Sequence, residues 1–305
     1  MEKHRKKLIK NATVFDGHSS GLAQGKKIVI EDDIVTEITA DEVSEENFDE
    51  VFDGTGMVAM PGMTDAHVHM GCLFAKGEFP VDYATVLTVA KCKDALMAGF
   101  TTFRDAGSVS EGLKLAFDEG VLPGPRIYPC GAYISQTCGH GDSEYAHTYR
   151  DIQYRHPSSA VLADGVPEII RAVREQFYRG ASHIKLMATE ILNRHEDIGL
   201  LFGTDMMITG PDYQVEQSED IRYYEKRFGT MRALRALTGT ANEVFALTTY
   251  QNPYPKGKIG VLEAGSYADL LLVDGDPTKR VSVLADTDHL RLIMKGGTVY
   301  KNTLC

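Results

Sequence analysis

An α/β fold, a parallel sheet wrapped in helices with a smaller all-β body beside it, is what this sequence predicts, and three observations predict it. Across residues 58–256 short apolar runs alternate with amphipathic helical stretches, the signature of repeated strand-helix units. Residues 1–57 and 257–305 read instead as strands and turns. The polar residues of the middle section gather at the carboxyl ends of its strands, where parallel folds of this kind build their sites.

Taken in order, Leu8 to Phe15 is a strand stopped by Asp16-Gly17. Lys27 to Glu31 and Ile34 to Ile38 flank Asp32-Asp33 as a hairpin. The partner of this small sheet is expected at the other end, where Ala268 to Asp274 and Leu290 to Met294 precede turns at Gly275-Asp276-Pro277 and Gly296-Gly297. Met57 to Met63 reads as a short buried strand leading into Asp65-Ala66-His67-Val68-His69. A helix from about Asp82 to Met97 puts Tyr83, Val86, Leu87, Ala90 and Met97 on one face and stops near Gly99. Thr101 to Asp105 is the next strand, Glu111 to Glu119 a short helix, and Arg126 to Ile134 the third strand. Residues 135–165 form a loop with Gly139-His140-Gly141 in it, long enough to cover a site. Val166, Ile169, Ile170, Val173 and Phe177 mark a helix ended by Gly180, and His183 to Met187 is strand four. A strand from Gly199 to Phe202 ends in Gly203-Thr204-Asp205. Ile221, Tyr224, Phe228, Met231 and Leu234 give one last long helix.

Composition narrows the function. A chain of 305 residues buries about three quarters of its unfolded surface, enough for a large domain with a satellite. Apolar and charged fractions of 43% and 25% are those of ordinary globular proteins. With 43 acidic against 32 basic residues the net charge is −11, which argues against nucleic acid or an anionic membrane as the main partner. The five cysteines are scattered and odd in number, without CxxC spacing, so a reduced, cytoplasmic compartment is expected. The basic start, Met1 to Lys7, leads into only Leu8-Ile9, so neither a secretory leader nor a membrane span is expected.

The chemistry centres on Asp65-Ala66-His67-Val68-His69. Strand side chains alternate with a period of two, so His67 and His69 emerge on one face, where two imidazoles reach one metal ion. Two strand-end histidines bonded to neighbouring carbonyls explain the pair as well. What favours a site is company: Asp105, His140, Lys185 and Asp205 also fall at or just after strand ends. Each has a plain reading alone. Lys185 would snorkel to solvent, Asp205 would be a turn or helix-capping aspartate, and His140 a solvated loop histidine. Arg104 and Asp105 read first as a structural ion pair, and His147 and His156 as loop residues.

The run Met60-Pro61-Gly62-Met63-Thr64-Asp65-Ala66-His67-Val68-His69, the lysine of Ile184-Lys185-Leu186-Met187, Gly203-Thr204-Asp205, and the tail from Gly257-Lys258-Ile259-Gly260 through Gly265-Ser266-Tyr267-Ala268-Asp269-Leu270 to Gly275-Asp276-Pro277 resemble the amidohydrolase superfamily. Within it they look most like the imidazolonepropionase-like and Xaa-Pro or Xaa-Arg dipeptidase branch. The resemblance covers most of the chain. It implies a (β/α)8 barrel, residues 58–256, with a composite β-sandwich made from residues 1–57 and 257–305. It also implies metal-dependent hydrolysis of carbon-nitrogen bonds in a small-molecule substrate, a dipeptide or cyclic amide. Carried over residue by residue, His67 and His69 bind a divalent ion, most readily zinc. Lys185 is carboxylated to a carbamate that bridges metals, which requires the neutral amine favoured by burial beside a cation. Asp205 binds the metal, takes the proton of the activated water and returns it to the leaving nitrogen. His140 polarises or orients the substrate carbonyl.

One departure stands against these matches. The family pattern places two further histidines on strands five and six, between the lysine and the final aspartate. Here only residues 186–204 separate Lys185 from Asp205, and they hold one histidine, His195, in a polar stretch. Residues 189–199 offer no apolar helical face for a crossover, which needs a dozen residues or more. Residues 58–247 must serve where such a barrel takes ~250. Strands five to seven are therefore expected to be missing, with the second metal site lost and one ion left. A natural deletion, a barrel closed by a second copy and an incomplete gene reading all produce this pattern, and unclosed sheet edges make a homo-oligomer the expectation. Two function classes remain: a hydrolase working through His67, His69 and Asp205 with Lys185 nearby, and an impaired remnant that binds metal or a partner without turnover. A deaminase of a cyclic amidine would use the same ligands as the first.

Overall fold

β1 (Lys6–Val14), β2 (Ala23–Glu31) and β3 (Ile34–Thr39) pair antiparallel in succession. The β2–β3 turn is the expected Asp32-Asp33. Asp32 sits at φ 54°, a left-handed conformation that aspartate tolerates better than most residues. β4 (Glu50–Asp53) and β5 (Val58–Pro61) run parallel to β1 on its other edge, β4 against residues 7–10 and β5 against residues 13–14. The computed structural model describes residues 5–70, 81–107, 111–137, 139, 141–142, 160–186, 200–207 and 213–304.

The apolar run Met57 to Met63, expected as one strand, serves two sheets. β5 stays with β1, and β6 (Met63–His69) starts a second sheet one residue later. Gly62 lies between them, where a Cβ would stand 2.1 Å from the Thr101 hydroxyl, so no side chain fits at this crossing. α1 (Val81–Met97) packs on β7 (Phe100–Asp105), followed by α2 (Glu111–Asp118) and β8 (Arg126–Tyr128). The expected strand Arg126 to Ile134 is broken: its second half is β9 (Tyr133–Ser135), separated from β8 by Gly131 at φ 69°. β10 (Ala160–Leu162) pairs parallel with β9, and α3 (Val166–Tyr178) follows. Residues 182–186 extend beside β9, joined by an Ile134–Leu186 bridge, so strand four is reduced to a short contact among the described residues. β11 (Met206–Met207) returns to pair parallel with β6, giving the sheet order β11-β6-β7-β8. The single long helix expected afterwards is instead α4 (Tyr213–Phe228) and α5 (Thr230–Leu237), broken at Gly229 with φ 82°, and then α6 (Gly239–Ala246).

Two helices bury a face other than the expected one. α1 turns Ala84, Thr88, Cys92, Ala95 and Leu96 inward and leaves Tyr83 and Val86 exposed. α3 buries Ala172 and Gln176 while Val166, Ile169 and Ile170 face outward. In α3 a polar contact decides, because Gln176 Oε1 accepts the Ala132 N–H at 2.9 Å. In α1 small residues at helical spacing allow close approach to the sheet, and close packing outweighs a nominal apolar face.

The chain ends meet as expected. β12 (Leu270–Val273) pairs antiparallel with β5 and with β13 (Leu290–Lys295), which pairs with β14 (Thr298–Asn302). The result is one eight-stranded sheet, β14-β13-β12-β5-β1-β2-β3, with β4 beside β1. A single apolar cluster joins both sheets: Phe15, Met60, Leu271 and Ile293 from this one, Phe100 and Phe103 from the parallel one, and Phe202 and Leu237 from the closing segment. Burying each such side chain contributes about 1.5–3 kcal/mol, which locks the two sheets together. Among the described residues no helix is long and apolar enough to cross a membrane.

Candidate metal centre

β6 carries Asp65, His67 and His69, and the segment 200–205 lies against it. The Ala66 N–H donates to the Phe202 carbonyl at 2.8 Å, and the Asp205 N–H donates to the His67 carbonyl at 2.8 Å. The approach is close because residue 203 is glycine: a Cβ there would stand 2.7 Å from the Cβ of His67. Asp205 sits at φ 54°, which turns its carboxylate back over the end of β6. One oxygen of that carboxylate, Oδ1, lies 3.0 Å from His67 Nε2 and 3.1 Å from His69 Nε2. The two imidazoles are tilted 58° to each other with centroids 5.4 Å apart.

The fourth member arrives from residues 182–186. The Ile134 N–H holds the Lys185 carbonyl at 2.9 Å, and Lys185 Nζ reaches 3.0 Å from His67 Nε2. Burial, and next the Lys185 charge, hold the His67 imidazole down to about 4, so it is neutral at pH 7, the form that binds a metal. The Nε2, Nε2 and Oδ1 atoms of His67, His69 and Asp205 lie within 4.8 Å of one another. Small side-chain rotations bring such a triangle to the ~2 Å bonds of a zinc site, and two histidines with one carboxylate and an open position form a catalytic donor set. The residues present fit a divalent ion.

Sequence reasoning quoted Asp65 without giving it a task. It is fully buried and takes four donors: the N–H groups of His67 at 3.2 Å and Thr204 at 3.3 Å, the Thr204 hydroxyl at 2.9 Å and Gln217 Nε2 at 3.2 Å. Burial nevertheless raises its carboxyl to about 6. Asp65 thus ties the strand of the two histidines to the residue before Asp205. The signal was available, since positions 65, 67 and 69 share the strand's period of two, but the carboxylate's partners lie far along the chain. Asp105 and Arg104 do not form the expected ion pair. As strand neighbours they face apart, and Asp105 Oδ1 accepts the Met70 N–H at 3.1 Å. His140, His147, His156 and His195 lie outside the described residues. His289 is far from the centre, with Nδ1 2.6 Å from the Asp274 carbonyl.

Comparison with known proteins bears on the family and the fold. The Amidohydrolase family profile matches residues 58–200. Among curated proteins, ochratoxinase of Aspergillus niger is 34% identical over 152 residues, which span 43% of this chain and 31% of the relative, so the match takes in less than a third of that protein's length. Among solved structures, a prolidase complexed with N-methylphosphonate-L-proline aligns over 97% of this chain and 100% of its own, with TM-score 0.78 and 22% identity. The A. niger ochratoxinase structure aligns over 99% and 96%, with TM-score 0.76 and 19% identity. These likenesses carry the fold. Together with them, the profile match places the HxH strand of this chain inside a segment, residues 58–200, that is similar to the amidohydrolase family.

Proposed function

We propose that the chain is a metal-dependent hydrolase of carbon-nitrogen bonds, taking a dipeptide or, second, a cyclic amide. One observation carries the reading: Asp205 Oδ1 is within 3.1 Å of two imidazole nitrogens, those of His67 and His69, the nearer of them 136 residues away along the chain. A divalent ion, zinc in this reading, supplies when bound Lewis acidity toward the scissile carbonyl and a water whose pKa falls toward ~7. His67 and His69 hold the ion through neutral nitrogens. Asp205, 73% exposed and so open to substrate, takes the proton of the attacking water on its carboxylate and hands it to the leaving nitrogen. His140 orients the carbonyl. Lys185 acts as a carbamate: its amine adds carbon dioxide and releases a proton, which replaces a cation beside His67 with an anionic oxygen donor.

The same proposal divides the chain into a composite β-sandwich of residues 1–57 and 257–305 and a barrel body of residues 58–256, shortened between 189 and 199, with strands five to seven missing. It assigns one ion per chain, a homo-oligomer and a cytoplasmic location. Two structural neighbours, a prolidase and a Xaa-Pro dipeptidase, support a dipeptide substrate. An impaired remnant that binds metal or a partner without turnover is the weaker reading, because the structural neighbours described by activity, a prolidase and a Xaa-Pro dipeptidase, are enzymes.

The test is metal content per chain on protein purified without chelator, with molecular mass recorded on the same sample. One ion in the wild type, none in His69→Ala or Asp205→Ala, and dipeptide hydrolysis lost in both variants is the expected outcome. A metal-free wild type that fails to take up added zinc sinks the proposal.

A further inference from the structure

Arg104 is a cation that the metal cluster leaves unused. Its guanidinium makes one hydrogen bond, from Nη1 to the Ala66 carbonyl at 3.4 Å, and meets no carboxylate at ion-pair distance among the described residues. Its sequence neighbour Asp105 is turned to the Met70 N–H and to Cys130 Sγ, 3.9 Å away. A half-buried guanidinium that makes no ion pair among the described residues is costly to keep, and an incoming anion lowers that cost.

The guanidinium lines a cavity of about 340 Å³, a size that suits a small molecule. None of His67, His69, Lys185 and Asp205 lines it. At the polar end Ser182 and His183 stand with Arg104, Ser182 Oγ lying 3.0 Å from His183 Nδ1. The other wall is apolar, built from Phe177 and Phe245, and Phe245 is fixed by stacking on Tyr128 with centroids 3.8 Å apart and planes 3° from parallel. Thr249, also on the lining, sits at φ 47°, a conformation that β-branched residues rarely adopt and that persists where surrounding structure enforces it. We propose that this cavity binds a small organic acid, its carboxylate on Arg104 and an aromatic or branched aliphatic body between Phe177 and Phe245. A guanidinium offers a carboxylate two parallel N–H donors, and the aromatic wall selects against small inorganic anions.

The test is calorimetric titration of the full chain with 3-phenylpropionate and with its neutral amide, before and after metal removal by chelator. The acid is expected to bind at least ~10-fold tighter than the amide, with equal affinity in metal-loaded and metal-free protein. Arg104→Gln is expected to weaken the acid ~10-fold and leave the amide unchanged. Leu247, 78% exposed on the cavity lining, gives a variant that spares the core: Leu247→Trp narrows the mouth and weakens the acid by a similar factor. Equal affinity for acid and amide, loss of acid binding on chelation, or an unchanged Leu247→Trp overturns the proposal. The readout is binding to metal-free protein, so its failure leaves the hydrolase reading intact, and failure of that reading leaves this one to stand.

Discussion

Asp65 is a burden on stability at neutral pH, and what it secures is the placement of two histidines, the proposed ligands. Burial holds its carboxyl at about 6, above the ordinary 3.8, despite the lowering effect of its four hydrogen bonds. The folded chain therefore keeps this proton to a higher pH than the unfolded chain does. This group's contribution to stability is fully present below about pH 4, is lost as pH rises toward 6, and stays lost above, a change on the order of 2–3 kcal/mol. Compared with Asp65→Asn, which does not ionise, metal-free wild type is expected to lose that amount between pH 4 and pH 7. Urea unfolding at both pH values measures it, and parallel pH profiles would refute the assignment. The same variant offers one acceptor oxygen to four donors, so its zinc affinity is expected to fall ~10–100-fold, read by competition with a chelating dye. At this scale the sequence was informative where chemistry is local. Strand period and the family resemblance brought His67, His69 and Asp205 forward, and the structure sets their side chains within 4.8 Å of one another, whereas the clamp on Asp65 depends on Thr204 and Gln217, more than a hundred residues away.

Elements were easier to find than to orient. α1 begins at Val81 where about Asp82 was expected and ends at the expected Met97, yet its inward face is the one with Ala84, Thr88 and Cys92. Periodicity reports an apolar stripe, while the packed face depends on which side chains let backbones approach. α3 makes the point measurable. Ile170 is exposed, so Ile170→Lys is expected to change unfolding free energy by no more than ~0.5 kcal/mol, whereas a helix buried on its nominal apolar side would lose several times that. The segment 200–205 gives the opposite case, a place without regular structure where one atom matters. Gly203→Ala puts a methyl against the Cβ and backbone of His67, and zinc affinity is expected to drop ~10-fold or more while far-ultraviolet circular dichroism stays unchanged.

For the whole molecule, the joint between the two sheets is polar as well as apolar. Arg126 of β8 reaches Asp269, just before β12, with Nε at 2.6 Å from Oδ2 and Nη2 at 3.1 Å from Oδ1. The Gly296 N–H also donates to Asp269, and the guanidinium lies 3.9 Å from the Tyr267 ring centroid. Asp269→Ala leaves that guanidinium buried and unpaired, and a loss of about 3–5 kcal/mol in urea unfolding is expected. That the ends of the chain fold together was legible from their β pattern. That the apolar run into the histidine strand divides between the sheets at Gly62 was not, since a run of apolar residues carries no mark of which partner each half will take. The division also sets a timetable for the cell. β5, one residue ahead of the strand that bears His67 and His69, is paired on one edge with β1 and on the other with β12, residues 270–273. During synthesis at about 5–20 residues per second, the histidine strand leaves the ribosome roughly ten seconds or more before β12 can anchor it. Until then β5 is paired on its β1 edge alone, so a chain truncated before β12 is expected to hold the proposed ion more weakly than the full chain.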